Sequence, residues 1–211
     1  TDSIIVHSKI GKDAIVKELS IKNLYKFSVI PHGNYIDYYK NRLNRNEARR
    51  ILKLKKDSFI YLFFGAIRPY KGVIDLIKNF KKIDNQKKLF LVIAGKSQSE
   101  DLTKQIKKEI GANKNIFFIN KFVLENEVQS YMNSTDIVVL PYRDVLTSGS
   151  AILAMSFGKP LIVPTKGDLP EILNKRFTFF YNPNKKGDLL RTMNIAFKNK
   201  SKTSKMGKFA Y

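Results

Sequence analysis

Of the 211 residues 43% are hydrophobic, 39 Lys plus Arg outnumber 18 Asp plus Glu to give a net charge of +21, and there are two histidines and no cysteine. These values exclude disulfides, thiolate metal sites, thiol catalysis and a His-rich metal centre, so any chemistry rests on oxygen, nitrogen and backbone groups. They permit one large core, or one domain with a remnant of another, and they imply attraction to phosphates, anionic lipid or nucleic acid.

No apolar run approaches the roughly 20 residues needed to span a bilayer, and no signal-peptide pattern is present, so a soluble chain is expected. The lysines are scattered along the sequence, often beside Asn and Ile. Compositional bias would scatter them this way, and so would a membrane-facing surface; no motif of a nucleic-acid reader accompanies them.

Taken in order, Ser3 to Val6 reads as a strand end and Lys9 to Leu19 has amphipathic helical spacing. Phe27 to Ile30 is a short strand closed by Pro31-His32-Gly33. His32 beside Gly33 either serves that turn or touches a ligand where two units meet. Asn34 to Asn46 is polar and tyrosine-rich, as expected of chain crossing the surface, and Glu47 to Leu54 reads as a basic helix.

Phe59 to Phe64 is continuously apolar, the pattern of a strand buried on both faces of a parallel sheet. Gly65 to Gly72 leaves its carboxyl end and leads into a helix over Val73 to Phe80. That loop carries Arg68 and Lys71. Arg grips phosphate oxygens as a bidentate fork and Lys supplies a point charge, so the pair can stabilise a diphosphate leaving group without a metal. The alternative is two solvated loop charges.

Lys88 to Ala94 is the next buried strand, followed by Gly95-Lys96-Ser97 and a helix over Ser99 to Ile110 with Glu100 and Asp101 in its first turn. Gly95 either admits a ligand close to the backbone or only ends the strand. Asn115 to Ile119 is a strand, then come Lys121-Phe122-Val123 and a helix through Met132.

The most informative stretch is Ile137 to Val163. Ile137 to Leu140 is a buried strand ended by Pro141, and Thr147 or Ser148 caps a helix bearing Ile152, Leu153, Met155 and Phe157. Gly158 and Pro160 stop that helix, and Leu161 to Val163 is another strand. Thr147, Ser148, Gly149 and Ser150 therefore open a helix beyond the carboxyl end of a strand. Open α/β sheets bind ligands there, and free helix N–H groups suit phosphate; an ordinary capped core helix has the same pattern. Beyond it lie a short helix over Asp168 to Leu173, a strand over Phe177 to Tyr181 and a helix over Lys185 to Lys200. Strand–helix alternation implies a parallel sheet with helices on both faces.

Five segments in this order carry a resemblance: Val29-Ile30-Pro31-His32-Gly33, Gly65 to Gly72, Val92-Ile93-Ala94-Gly95, Asp136 to Pro160 with Ala154-Met155-Ser156-Phe157-Gly158-Lys159-Pro160, and Pro170-Glu171-Ile172. Together they resemble the carboxy-terminal half of GT-B glycosyltransferases, of the family 4 type that uses nucleotide sugars, over nearly the whole chain.

The resemblance implies a Rossmann-like, doubly wound sheet. It implies that residues 1–24 match the end of an acceptor domain and its linker, and that residues 25–211 form the donor domain. On this reading most of the acceptor site lies in an amino-terminal domain outside this sequence, activity needs that domain, and the chain stops before the family's last helix.

Position by position, Lys71 matches the family's lysine on the donor diphosphate. The family's frequent arginine falls on Ala66, so Arg68 would supply that charge from two residues further on. Gly65 and Gly95 would admit the donor, Phe122 and Val123 would lie along the base, and Thr147, Ser148, Gly149 and Ser150 would receive the phosphates. His32 and Gly33 would face the other domain. The family's Glu-x7-Glu pair falls on Val145 and Leu153, neither of which accepts a hydrogen bond through its side chain; Asp144 or Ser150 is the nearest substitute.

The expected function is transfer of a sugar from a UDP- or GDP-sugar to a polysaccharide or lipid-linked acceptor, with no metal and no cofactor beyond the donor. Cytoplasmic placement is expected, with a basic surface suited to peripheral attachment at the inner face of the cell membrane. The alternatives are a sugar-nucleotide epimerase of the same fold, which lacks a convincing carboxylate and His set, and a non-catalytic basic module for anionic membrane or nucleic acid.

Overall fold

A computed structural model describes residues 3–84 and 88–210. The outermost positions of the two expected domains, residues 1, 2 and 211, lie outside the described residues. Two parallel sheets are present, a pair β1 (Ile4–Val6) and β2 (Phe27–Val29), and six strands in the order β5-β4-β3-β6-β7-β8.

Helix α1 (Lys9–Glu18) connects the small pair, and Ser8 caps it by accepting the Gly11 N–H at 2.9 Å. In the large sheet β3 (Phe59–Phe64) and its neighbour β4 (Leu89–Ala94) are buried at every residue. Around them lie β5 (Ile116–Ile119), β6 (Ile137–Val139), β7 (Leu161–Pro164) and β8 (Thr178–Tyr181). Every pairing is parallel, as unbroken apolar strands require.

Alternating residues of β3 meet helices on opposite faces. Tyr61 packs edge-on to Phe80 of α3 (Val73–Phe80) and donates its hydroxyl to the Met193 carbonyl of α8 (Asp188–Lys198) at 2.9 Å. Phe64 points the other way, to Tyr131 of α5 (Glu125–Ser134). The sheet is thus covered on both sides, with α4 (Glu100–Ile110) beside α3, and α2 (Arg45–Ile51) beside α5. The fold is the Rossmann-like doubly wound one.

Three local differences have physical causes. Helix α2 begins two residues before Glu47, because Asn44 caps it and Glu47 returns the bond to the Asn44 N–H in a capping box. The tyrosine-rich loop is not wholly superficial: Tyr35 and Tyr39 are half-buried against the core, and the Tyr35 N–H donates to Ser156 Oγ at 2.9 Å. The final helix is two. Residues after Asn199 form α9 (Lys200–Ala210), whose buried residues are Thr203 and Gly207, with Met206 and Ala210 half-buried against the core, too sparse an apolar pattern for hydrophobic spacing to disclose it.

Strand order reverses between β3 and β6, and this is the topological switch point of the sheet. The loops after β3 and β6 leave on the same end, where α6 (Gly149–Ser156) and the short helix α7 (Leu169–Ile172) also begin.

Candidate functional site

Two clefts open at the carboxyl ends of the strands. The larger, about 500 Å³, is lined by Tyr70, Lys71, Tyr142, Asp144 and the run from Val145 to Ser150. The smaller, about 240 Å³, is lined among others by Tyr39, Gly65, Gly95, Phe122, Val123 and Glu125. Gly65 is the seam between them: a Cβ on it would lie 2.9 Å from Ser150 Oγ and 3.8 Å from Lys71 Nζ, both of the larger cleft.

The loop from Gly65 to Gly72 is held by its own backbone. Gly65 N–H donates to Ala94 O at 3.0 Å and Ile67 N–H to Lys96 O at 2.9 Å, continuing the β3–β4 ladder past the strand ends. Gly95, at φ +155°, lies so close to Gly65 that a Cβ would sit 1.9 Å from the Gly65 carbonyl oxygen. Lys71 then closes a single 3-10 turn, Pro69–Lys71.

Lys71 is half-buried with its ammonium 5.7 Å from the centre of the Tyr142 ring. Among the described residues no acceptor takes its Nζ. Burial holds its pKa below the ordinary lysine range, and the like charge of Arg68 lowers it further. An anion in the cleft would relieve both costs. Arg68 itself is exposed and lines a different cleft with Gly72, Ser99, Asp101 and Arg143, so the two cations share a neighbourhood but not a pocket wall.

The opposite wall is the start of α6. Ser148 Oγ accepts the Ala151 N–H at 3.2 Å and lies 3.1 Å from the buried Tyr142 hydroxyl. The Gly149 and Ser150 N–H groups have no acceptor among the described residues, which leaves two backbone donors on the cleft. Tyr142 holds its proton, because burial pushes its pKa up against the opposing effect of the Ser148 and Ser150 hydroxyls.

The structure therefore brings Lys71, Asp144, Thr147, Ser148, Gly149 and Ser150 together, and Gly65, Gly95, Phe122 and Val123 together beside them. His32 and Gly33 line neither cleft; His32 Nδ1 lies 2.6 Å from the Gly33 carbonyl oxygen, and its ring neighbours those of His7 and Tyr35. Of the positions corresponding to the glutamate pair, Leu153 is buried in the core and Val145 lines the larger cleft. Asp144 lines the cleft too, and its carboxylate is paired with Lys166 at 3.2 Å.

Several lining residues lie outside the motifs. Tyr142 follows the proline that ends β6, and its spacing says nothing of a wall position. Tyr39 and Glu125 meet in the smaller cleft from distant parts of the chain, and Tyr38 donates its hydroxyl to Glu125 Oε1 at 3.2 Å. The Tyr35 hydroxyl stands 3.4 Å from the Cβ position of Gly149, at the mouth of α6. The clustering of tyrosines before α2 was the available signal. Among the described residues no group of three or more His, Cys, Asp or Glu could hold a metal ion.

This geometry can be compared with known proteins. Residues 44–211 match the model of the family Glycosyl transferases group 1. The chain belongs to that family. Among relatives of this group 1 chain, the GDP-mannose:glycolipid 4-beta-D-mannosyltransferase of Xanthomonas campestris pv. campestris is 27% identical over 135 residues, 64% of the chain and 36% of the relative. The UDP-Gal:alpha-D-GlcNAc-diphosphoundecaprenol alpha-1,3-galactosyltransferase of Escherichia coli is 25% identical over 156 residues, 70% of the chain and 40% of the relative. The chain thus spans well under half the length of both.

Anabaena Alr3699/HepE, solved in complex with UDP and glucose, shares the fold of this group 1 glycosyltransferase chain. The match has a TM-score of 0.85 at 20% identity and covers 100% of the chain and 57% of that structure. The GT-B assignment of the fold holds.

Proposed function

We propose that this chain is the donor half of a glycosyltransferase, binding a nucleoside diphosphate sugar and releasing its hexosyl group to a lipid-linked or glycan hydroxyl. The observation that carries this is the Lys71 ammonium without an acceptor, facing the same cleft as the two free N–H groups that begin α6. A helix start and a desolvated cation across one cleft form a diphosphate site. The activities of the Xanthomonas and Escherichia relatives, both sugar transfers to lipid-borne acceptors, support the reading.

In the proposed reaction the bond from the sugar's anomeric carbon to the diphosphate oxygen breaks, and its electron pair leaves with the diphosphate. A new bond forms to the acceptor hydroxyl oxygen, whose proton passes to an oxygen of the departing diphosphate. Charge grows on the departing diphosphate, so Lys71 and the Gly149 and Ser150 amides stabilise the transition state more than the bound donor. The smaller cleft, walled by Phe122 and Val123, would take the base. An amino-terminal acceptor domain, of which residues 1–24 would be the end, would bind the acceptor, and the basic surface would hold the enzyme at an anionic membrane.

Calorimetric titration with UDP, GDP, ADP and CDP at low and high salt tests the donor site. Selective binding of one nucleotide that persists in high salt is the expected result. Equal binding of all four that vanishes in salt would identify only a general basic surface.

A further inference from the structure

Behind the donor clefts, at the amino ends of β6 and β7, lies a cavity of about 360 Å³ whose walls include Arg45, Thr135, Asp136, Lys159, Lys200 and Thr203. It is built from four separate segments: the start of α2, the entry to β6, the turn between α6 and β7, and the first turn of α9. Three cations, Arg45, Lys159 and Lys200, line it together with one carboxylate, Asp136. That carboxylate is already committed, since Asp136 Oδ1 accepts from Arg45 at 2.8 Å and Oδ2 accepts from Arg49 at 2.7 Å and from the Ile60 N–H at 2.8 Å.

Lys159 is left under-coordinated. Its ammonium is half-buried and, among the described residues, reaches only the Thr135 carbonyl, at 3.4 Å. Burial, with Arg45 and Arg49 as like charges and Asp136 opposing them, holds its pKa down to about 8. Lys200 stands across the cavity with its ammonium 4.9 Å from the Phe197 ring, so it too is not neutralised by a carboxylate in any ion pair among the described residues. The first turn of α9 adds the positive end of a helix dipole, and Ser204 adds a hydroxyl, while the Thr203 hydroxyl is spent on the Lys200 carbonyl, to which it donates at 2.8 Å. Helix α9 is fixed in place by Gly207, where a Cβ would meet the Gly158 carbonyl oxygen at 2.1 Å. The backbone of the cavity's two walls is thereby in direct contact.

We infer that this cavity is a second anion site, separate from the donor clefts, that binds a small phosphate monoester between Lys159, Lys200 and Arg45. A phosphate dianion would supply the acceptors that Lys159 lacks and offset the repulsion among the cations. The volume leaves room for a sugar-sized substituent on the phosphate. The site faces away from the carboxyl ends of the strands, so its occupant is not the donor diphosphate; it acts as an effector or an anchoring group.

The test is calorimetric titration of the full chain with inorganic phosphate and with glucose 6-phosphate, in the wild type and in the Lys71→Ala, Lys159→Met and Lys200→Ala variants. One site is expected for the sugar phosphate, retained in Lys71→Ala, weakened about tenfold or more in Lys159→Met and several-fold in the exposed-site variant Lys200→Ala. Sulfate, whose own charge is constant, should bind more weakly as Lys159 loses its proton near pH 8; the other ionisable groups around it are Arg45, Arg49, Lys200 and Asp136. Circular dichroism of the variants confirms the fold. Loss of binding in Lys71→Ala with retention in Lys159→Met would assign the phosphate to the donor cleft and overturn the inference. So would binding only to phosphatidylcholine vesicles that contain phosphatidic acid, which would make the cavity part of a membrane-facing surface.

Discussion

Glu171 of α7 closes the first helix of the chain: its two carboxylate oxygens accept the backbone N–H groups of Lys9 and Ile10 at 2.9 and 3.0 Å. A residue just past the larger cleft thereby fixes the segment that leads toward any preceding domain. These bonds hold the Glu171 carboxyl below the usual carboxylate range. Its contribution is present above about pH 4.5 and is lost as pH falls through the lower, folded value. Glu171→Ala should cost on the order of 1 kcal/mol, the ordinary worth of a helix cap, and should speed amide exchange in α1 while leaving the large sheet protected. Unchanged exchange in α1 would show that the contact holds nothing.

The two loop cations should behave differently. Lys71→Ala in the full-length enzyme is expected to lower transfer about 10²- to 10³-fold, the loss typical of a preorganised leaving-group donor. Arg68→Ala should cost about tenfold or less, because its side chain faces another cleft and water. Steady-state kinetics of both variants decide the point, and equal losses would place Arg68 on the diphosphate.

Arg49 is almost fully buried, and besides Asp136 it donates to the carbonyls of Ser134, Lys56 and Ser58. Removing one side of a buried charge pair leaves the other uncompensated, so Asp136→Asn should destabilise the chain by about 3–5 kcal/mol. Arg49→Met, which removes the charge that needs solvation but strands three carbonyls and Asp136, should be comparably costly. Urea unfolding measures both; a loss under about 1 kcal/mol would mean that water replaces the pair.

Lys159 gives a stability signature of its own. With its pKa at about 8 in the fold against an ordinary 10.5, the folded chain binds fewer protons than the unfolded chain between those values. Stability contributed by this group therefore rises as pH increases through that window. The difference in unfolding free energy between wild type and Lys159→Met should rise over the same range. A flat difference would show that Lys159 is solvated.

The strands were legible because each is a short apolar run, several of them ended by Gly or Pro, and FIYLFF at Phe59 to Phe64 admits little else. The walls of the larger cleft were legible for a related reason: ligand sites in such sheets follow strand ends, so Lys71 and the run from Thr147 to Ser150 could be placed from order alone. What local pattern does not carry is which way a side chain turns. Arg68 and Lys71 are three residues apart in one loop, yet the intervening 3-10 turn sends them to different clefts. Glu125 and Tyr39, or Arg45 and Lys159, meet only through tertiary packing, and α9 hides because its buried residues are a glycine and a threonine.

The reversal of strand order between β3 and β6 also governs how the molecule is assembled. Ile60 and Asp136, which bond across that junction, are 76 residues apart in sequence, whereas β3 and β4 are joined by one short crossover. Pairing β3 with β4 closes a modest loop; docking β6 closes a long one and comes at greater entropic cost. The Lys71 wall is carried by the early partner and the α6 wall by the late one. A nucleotide that needs both walls can recognise only a sheet in which β3 and β6 are paired, so its binding would draw the chain toward that state by mass action and would serve as a chemical readout of that long-range pairing.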